Sequence, residues 1–190
     1  MSDWDVLTGQ VERDRRNVSL LMQSVGEVYG TFSMDDRMRR AVDRAVSVSG
    51  AERGILFLED GERGLVPVVA RDASGRNLPL DLKHCSTVVD RVLTSGEAYR
   101  ELNLADMPVT SASIVDAKLL SVMAAPLMVE GERLGVLYVD SQKRIREFED
   151  ADFRVYRALA GLIGSAIQSG RLLADRQAKE RMERQLELAH

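Results

Sequence analysis

Two apolar segments separated by a short polar turn form the clearest pattern in the chain. Residues 119–129 carry no charged side chain, a Glu-Gly-Glu turn follows at residues 130–132, and residues 134–139 return as Leu-Gly-Val-Leu-Tyr-Val. Both segments are apolar on both faces, so the pattern predicts a buried β-hairpin from Leu119 to Ser141. Such a sheet needs cover on both sides, which predicts helices on one face and a long loop with a short helix on the other.

Apolar residues recur at helical spacing near the start of the chain. The spacing predicts an amphipathic first helix with heptad character, which either pairs with a partner helix or docks on its own domain. Its apolar positions are Val11, Val18, Leu21, Val25, Val28 and Phe32. Ser33, with the acid Asp36 three residues later, resembles a capping box and predicts a second helix over residues 34–49.

The middle of the chain alternates strand and helix signals. Residues 54–59, Gly-Ile-Leu-Phe-Leu-Glu, are typical of a strand, and residues 65–71 supply the return strand of another hairpin. Ser86 is expected to cap a short helix, which residues 95–96, Ser-Gly, close. Residues 102–117 have no sustained period and predict a long loop, a type of segment that commonly carries function.

Helical spacing returns at about Glu149 and continues to the end of the chain. Past Gly170 the sequence becomes strongly charged, with Met182 and Leu186 as a thin apolar stripe. A helix of this length would span roughly 60 Å at 1.5 Å per residue, which exceeds a small domain. We therefore expect the helix to leave the globule, and we expect Leu159 and Leu162 to form a dimer surface together with the first helix.

Five segments in this order resemble a GAF domain. They read RGILFL, TSGEA, SIVDAKLLSVMAAPL, GERLGVLYVDS, and FEDADF followed by ALAGLIGSAI, and the match covers residues 35–173. The resemblance implies an α+β fold with a central antiparallel sheet of five or six strands. It places the N- and C-terminal helices on one face, and a short helix plus loops that form a ligand pocket on the other. It also implies a module that senses small molecules or mediates dimers, usually ahead of an output domain.

The resemblance divides the chain into three parts. Residues 1–33 would be an N-terminal signalling and dimerisation helix, residues 34–170 the GAF domain, and residues 171–190 a charged linker helix that leads to an output domain. The last ten residues, RMERQLELAH, are similar to the helix that precedes the catalytic domain in bacterial PPM-type serine phosphatases of the sporulation and stress-regulator class. Helices that lead into histidine kinases, cyclases or transcriptional activators look broadly alike, and a purely structural dimerisation module with a closed pocket is a further alternative.

The specialised chemistries of GAF domains need residues that this sequence lacks. Cys85 is the single cysteine. A bilin-attaching cysteine usually lies shortly before the strand that begins here near Leu119, and that stretch has no cysteine. Reduction of methionine sulfoxide requires two thiols, and this sequence has one. His84 and Cys85 offer at most two metal ligands, whereas zinc takes three or four. There is no Asn-Lys-Phe-Asp-Glu motif for a cyclic nucleotide. We expect a non-catalytic module without a metal, with its ligand unidentified, in which His84 and Cys85 are structural and Asp140 belongs to a strand-ending turn.

The elements expected to surround the pocket supply a candidate ligand site. Its residues are Val88, Val92, Tyr99, Ile114, Met123 and Tyr138. Met123 and Tyr138 could face a ligand or fill the core, and the core is favoured for each.

Charge and hydropathy limit the partners. The net charge is -4 and the isoelectric point about 5.3, with Lys and Arg scattered along the chain, which argues against nucleic acid and anionic membranes as partners. No apolar run approaches the roughly 20 residues that span a bilayer. A single cysteine fits a reducing compartment, so we expect a cytoplasmic protein that forms homodimers through its terminal helices.

Overall fold

A computed structural model describes residues 33–102, 104, 119–143 and 148–188, together with Arg16. In chain order the elements are α1 (Met34–Ser49), β1 (Arg53–Asp60), β2 (Gly64–Asp72), α2 (Ser86–Ser95), β3 (Tyr99–Glu101), β4 (Ser121–Val129), β5 (Glu132–Ser141) and α3 (Asp150–Leu188). The predicted first helix, with Val11, Val18, Leu21, Val25, Val28 and Phe32, lies outside the described residues. So do Ile114 and most of the predicted loop 102–117.

The strands form one five-stranded antiparallel sheet in the order β2-β1-β5-β4-β3, which confirms the predicted α+β fold. The hairpin predicted from Leu119 to Ser141 is the β4–β5 pair. Its turn is tighter than the sequence indicated, because Val129 pairs with Glu132 across only two residues. Glu130 and Gly131 both have positive φ, at 51° and 83°, as a two-residue turn that matches the strand twist requires.

Side chains alternate along each strand and divide the core into two layers. The layer between the sheet and helices α1 and α3 is called the helix layer below. On the sheet it is built from Leu56, Leu58, Val69, Met123, Ala125, Leu127, Leu137 and Val139. The layer between the sheet and α2 is called the α2 layer. It contains Ile55, Phe57, Ala70, Cys85, Val88, Val89, Val92, Leu104, Leu119, Val122, Ala124, Val136 and Tyr138.

Two helix starts differ in how they are capped. The Ser33 hydroxyl accepts a hydrogen bond from the Asp36 backbone N–H at 3.2 Å and donates one to the Asp36 carboxylate at 2.9 Å, which confirms the predicted cap of α1. Helix α2 instead has Cys85 at its N-cap position, without a side-chain capping hydrogen bond. The prediction that Ser86 caps α2 is therefore wrong by one residue.

Helix α3 has two distinct halves. From Val155 to Ile167 it buries one face in the helix layer, whereas every residue from Arg171 to Leu188 is exposed. Its 39 residues span about 58 Å at 1.5 Å per residue. The predicted exit from the globule is confirmed, and residues 171–188 are called the tail below. Among the described residues, no helix is both long and apolar enough to cross a membrane.

Candidate ligand-binding site and its link to the helices

The α2 layer brings together most of the predicted ligand-site residues. Val88 and Val92 of α2 face Tyr138 of β5 across this layer, and Tyr99 of β3 packs half-buried at its edge. Met123 does not join them. Strand alternation points its side chain to the opposite side of the sheet, into the helix layer, so it is removed from the candidate site.

The side chains of the α2 layer fill the space between the sheet and the helix. Val92, Leu104, Val136 and Tyr138 each have 0% of their surface exposed. Among the described residues, three surface cavities lie outside this layer. One of about 390 Å³ is lined by Glu52, Asp72, Ala73, Ser74, Arg76 and Lys143. Because these four side chains are fully covered, a ligand that contacts them would have to move protein side chains.

One end of the α2 layer holds a polar network in an otherwise apolar setting. The Tyr138 hydroxyl donates to the Asp140 Oδ2 atom at 2.9 Å and accepts from the Cys85 backbone N–H at 3.0 Å. Arg53 binds the same carboxylate with two hydrogen bonds, from Nε to Oδ1 at 2.7 Å and from Nη2 to Oδ2 at 2.6 Å. Arg53 Nη2 also donates to the Lys83 carbonyl at 3.2 Å. The network joins β1, β5 and the segment that leads into α2.

Asp140 is the buried charge at the centre of this network. Its side chain is fully covered and that of Arg53 is 12% exposed. Burial raises the pKa of Asp140, against the opposing effect of the hydrogen bonds from Arg53 and Tyr138. Burial likewise raises the pKa of the Tyr138 hydroxyl well above its ordinary value. The expectation that Asp140 belongs to a strand-ending turn is wrong, because the residue lies within β5 and faces the α2 layer.

His84 and Cys85 have structural positions beside this network. The His84 ring packs against Phe57, with ring centroids 5.0 Å apart, and meets Tyr138 edge-on at 5.9 Å. Cys85 is completely buried in the α2 layer. Within the part of the chain that the structure describes, no group of three or more His, Cys, Asp or Glu residues is arranged to hold a metal ion.

Strand β5 links the α2 layer to helix α3. Tyr138 points into the α2 layer, and its neighbour Leu137 points into the helix layer. The hydroxyl of Tyr156 in α3 lies 2.9 Å from the Leu137 carbonyl oxygen and 3.4 Å from the Met123 carbonyl oxygen. Tyr156 is fully buried, so this polar contact is screened from water. The candidate ligand site and α3 are thus one peptide unit apart.

A family model for the GAF domain matches residues 32–168 of this chain. The chain belongs to the GAF domain family. This confirms the resemblance seen in the sequence. No curated protein matches the sequence.

Several solved structures share the fold at low sequence identity. The GAF domain of an Acinetobacter phosphoenolpyruvate-protein phosphotransferase is 16% identical with a TM-score of 0.66, and the match covers 84% of this chain and 98% of that one. A methyl-accepting chemotaxis protein fragment is 24% identical with a TM-score of 0.60, covering 79% and 98%. The chromophore-binding domain of a Stigmatella aurantiaca bacteriophytochrome is 10% identical with a TM-score of 0.67, and the match covers 80% of this chain but only 60% of that one. At these identities the likeness shows the fold alone.

The prediction that Leu159 lies on a dimer surface does not agree with its position in the core of the GAF domain. Leu159 has 0% of its surface exposed and packs in the helix layer of its own domain, so it lies on no surface that a second chain can reach. Leu162 is half-buried on the same helix and retains an accessible side. Val18, Leu21, Val25 and Val28 lie outside the described residues.

Sequence reasoning missed the central polar network of this GAF domain. Arg53 and Asp140 are 87 residues apart, so no local pattern pairs them. A usable signal was nevertheless present. Asp140 follows Tyr138 by two residues in an apolar strand, and strand alternation puts both side chains on one face.

Proposed function

We propose that this GAF domain is a non-catalytic cytoplasmic sensor. A small molecule binds in the α2 layer among Val88, Val92, Tyr99 and Tyr138, and its presence is relayed through β5 and α3 to an output domain that follows the tail. The protein acts as a homodimer through its terminal helices. The fold supports the sensory role, and the ligand, the partner and the output are parts of the proposal.

The observation that carries the proposal is the position of β5 between the two layers. A ligand that moves the Tyr138 side chain also moves the Leu137 peptide, and the Leu137 carbonyl is the acceptor for the Tyr156 hydroxyl of α3. Helix α3 is continuous from this contact to the end of the tail. A displacement at Tyr156 therefore reaches the tail without crossing a flexible joint.

The relay has a thermodynamic requirement. A ligand shifts the equilibrium between two arrangements of α3 only by the ratio of its affinities for those arrangements. The burial of the α2-layer side chains supports this part of the proposal, because a ligand that enters the layer has to rearrange them. The bound and free states then differ in the packing against β5.

The proposed output is a serine/threonine phosphatase. The proposal is supported by the similarity of the last ten residues to the helix that precedes the catalytic domain in PPM-type phosphatases of the stress-regulator class. A similar tail would also suit a histidine kinase, a cyclase or a transcriptional activator as the output domain. The sequence encoded downstream of His190 tests this part, and a domain of any other class there would remove the phosphatase from the proposal.

A thermal-shift screen with native mass spectrometry tests the ligand. Cyclic nucleotides, amino acids and tetrapyrroles are the probes, and a binder at a hundredfold excess over its Kd stabilises the fold by about 2.7 kcal/mol. Ala124 and Ala125 provide a matched pair of variants, because they are adjacent buried residues on opposite faces. We expect Ala124→Val to abolish the ligand-induced shift and Ala125→Val to keep it. Equal responses of the two variants would place the ligand outside the α2 layer.

A structural dimerisation module is the second candidate. The observation that favours it is the filled α2 layer, in which Val92, Leu104 and Val136 are already covered by protein atoms. Under this alternative no probe raises the melting temperature, and the purified protein carries no bound small molecule in native mass spectrometry.

A further inference from the structure

Two arginines of the sheet hold α2 at its two ends. Before α2 begins, Arg53 of β1 donates from Nη2 to the Lys83 carbonyl oxygen at 3.2 Å. Near the last turn, Arg133 of β5 donates from Nη1 to the Leu93 carbonyl oxygen at 2.6 Å. These attachments are called the Lys83 end and the Leu93 end below. The α2 side chains that are buried between them are Val88, Val89 and Val92.

The two attachments differ in their exposure to water. Each arginine is also paired with a carboxylate of the neighbouring strand, Arg53 with Asp140 and Arg133 with Glu59. The side chains of the first pair are 12% and 0% exposed, and those of the second are 33% and 38% exposed. An exposed ion pair contributes little to stability, whereas separation of a buried pair leaves an uncompensated charge. The Leu93 end is therefore the weaker attachment.

The Leu93 end also has more room around it. Helix α2 closes at Gly96 with a φ of 69°, and a Cβ atom added there would have no atom within 4 Å. A surface cavity of about 210 Å³ is lined by residues 96–98 together with residues of β4 and α3. At the Lys83 end, by contrast, Cys85 is completely buried and its backbone N–H donates to the Tyr138 hydroxyl. The Lys83 end is thus enclosed, whereas the chain after the Leu93 end borders open space.

We propose that α2 is a lid over the α2 layer, which opens at the Leu93 end when Arg133 releases the Leu93 carbonyl and stays attached at the Lys83 end. Local opening of one element at a cost below that of global unfolding is a general property of folded proteins. As the entrance for a ligand the lid rests on the proposed function, but its opening requires no ligand. Opening exposes the Val92 side chain and leaves Cys85 covered.

Thiol labelling measures the opening of each end separately, because Cys85 is the single native cysteine. Cys85 reports on the Lys83 end, and Val92→Cys in a Cys85→Ala background reports on the Leu93 end. Each rate is divided by the rate for the same protein unfolded in urea. We expect the higher relative rate at Val92→Cys. Adding Arg133→Met should raise that rate about tenfold, because a hydrogen bond from a charged group is lost, and should leave the rate of Cys85 unchanged.

Arg100→Met is the matched control for Arg133→Met. Arg100 donates from Nη1 to the Phe148 carbonyl oxygen at 2.6 Å, pairs with Asp150, and is 25% exposed. It resembles Arg133 in these contacts, but it holds β3 to the start of α3. We therefore expect Arg100→Met to leave both labelling rates unchanged.

Hydrogen exchange repeats the comparison in chains that keep Cys85 and Val92, so a folding defect of the cysteine variants does not end the test. The Gly96 backbone N–H donates to the Val92 carbonyl oxygen at 2.9 Å in the last turn of α2. Arg133→Met should speed the exchange of this amide about tenfold, and Arg100→Met should not.

Three results would overturn the proposal. Equal relative rates for Cys85 and Val92→Cys would show that α2 leaves the sheet as a whole. Labelling and exchange that do not respond to Arg133→Met would show that Arg133 does not hold the lid closed. An equal response to Arg100→Met would show a general loss of stability. A ligand screen without a binder would leave the labelling results as they stand, so the lid and the proposed ligand fail separately.

Discussion

The Tyr156 hydroxyl of α3 donates a hydrogen bond to the Leu137 carbonyl oxygen of β5 across 2.9 Å. Main-chain carbonyls in a central strand are normally satisfied within the sheet, so this additional donor ties the helix to one peptide of the strand. The next residue, Tyr138, carries the polar network of the α2 layer. The contact gives the sheet a defined mechanical link between its two faces.

Replacement of Tyr156 by Phe should lower the free energy of unfolding by about 1 kcal/mol, because the buried donor is lost while the ring remains. Urea denaturation measures the change. Tyr99→Phe is the matched control, since the Tyr99 hydroxyl bonds to Glu101 at 2.7 Å in a half-exposed position. We expect a loss below about 0.5 kcal/mol there. Equal losses in the two variants would mean that burial adds nothing to the Tyr156 contact.

Replacement of Gly135 by Ala should destabilise the fold by about 3 kcal/mol, because the new methyl group would overlap the Phe57 carbonyl in the neighbouring strand. The overlapping atom is a backbone oxygen of β1, which cannot move aside as the end of a flexible side chain can. Gly161→Ala is the control, because nothing lies within 4 Å of its added Cβ and the site is inside α3. Helix propensity predicts a gain of up to about 1 kcal/mol for that variant. Thermal melts in which both variants lose stability would contradict this account.

Two aspartates, Asp140 and Asp72, should make the stability of the fold depend on pH in opposite directions. Burial raises the pKa of Asp140 above its ordinary value of 3.8 in the folded chain. The folded state then binds the proton of Asp140 more tightly than the unfolded state does. The contribution of Asp140 to the free energy of unfolding therefore falls as the pH rises from 3.8 through the raised pKa, and it is constant at higher pH. The stability advantage of the parent protein over Asp140→Asn should therefore shrink over that window in urea titrations.

Asp72 provides the opposite case. Its carboxylate accepts a hydrogen bond from the Arg76 backbone N–H, which lowers the pKa of Asp72 from 3.8. The unfolded state then binds the proton more tightly, so the contribution of Asp72 is full above 3.8 and is lost as the pH falls through the lowered pKa. The advantage of the parent over Asp72→Asn should grow as the pH rises through that window. Parallel trends for Asp140 and Asp72 would contradict the assigned causes.

Light scattering of two α3 variants separates dimerisation from folding. Leu162→Glu should leave the core intact because Leu162 is half-buried, and we expect it to convert the proposed homodimer into a monomer of half the mass. Leu159→Glu places a charge in the helix layer, and we expect it to unfold the domain, because an unpaired buried charge costs several kcal/mol. A Leu162→Glu protein of unchanged mass would show that α3 does not mediate pairing at this position.

The parts of the fold that follow from local pattern were readable in the sequence. The two-sided apolarity of residues 119–139 gave the central hairpin, and helical spacing from Glu149 gave α3. The face of an individual residue was harder to assign where both faces are apolar. Met123 and Leu159 both sit in segments with apolar neighbours on each side, and only the register with β5 and the packing of α3 place them in the helix layer.

The candidate site was less accessible to sequence reasoning because it is assembled from distant segments. Tyr138, Val88 and Val92 were identified from the elements around the expected pocket. The Arg53–Asp140 pair required the β1–β5 register, which places Arg53 opposite Asp140. No spacing rule in one strand encodes that register.

The short β3 strand has a consequence for behaviour at high concentration. It pairs only with Val122, Met123 and Ala124, so among the described strands the remainder of β4 has no neighbour on that side. That remainder contains Pro126, which has no N–H to donate, and an irregular register between Leu127 and Met128. Proline and bulges are features that stop one sheet edge from adding to another. These features protect this edge of the sheet against aggregation.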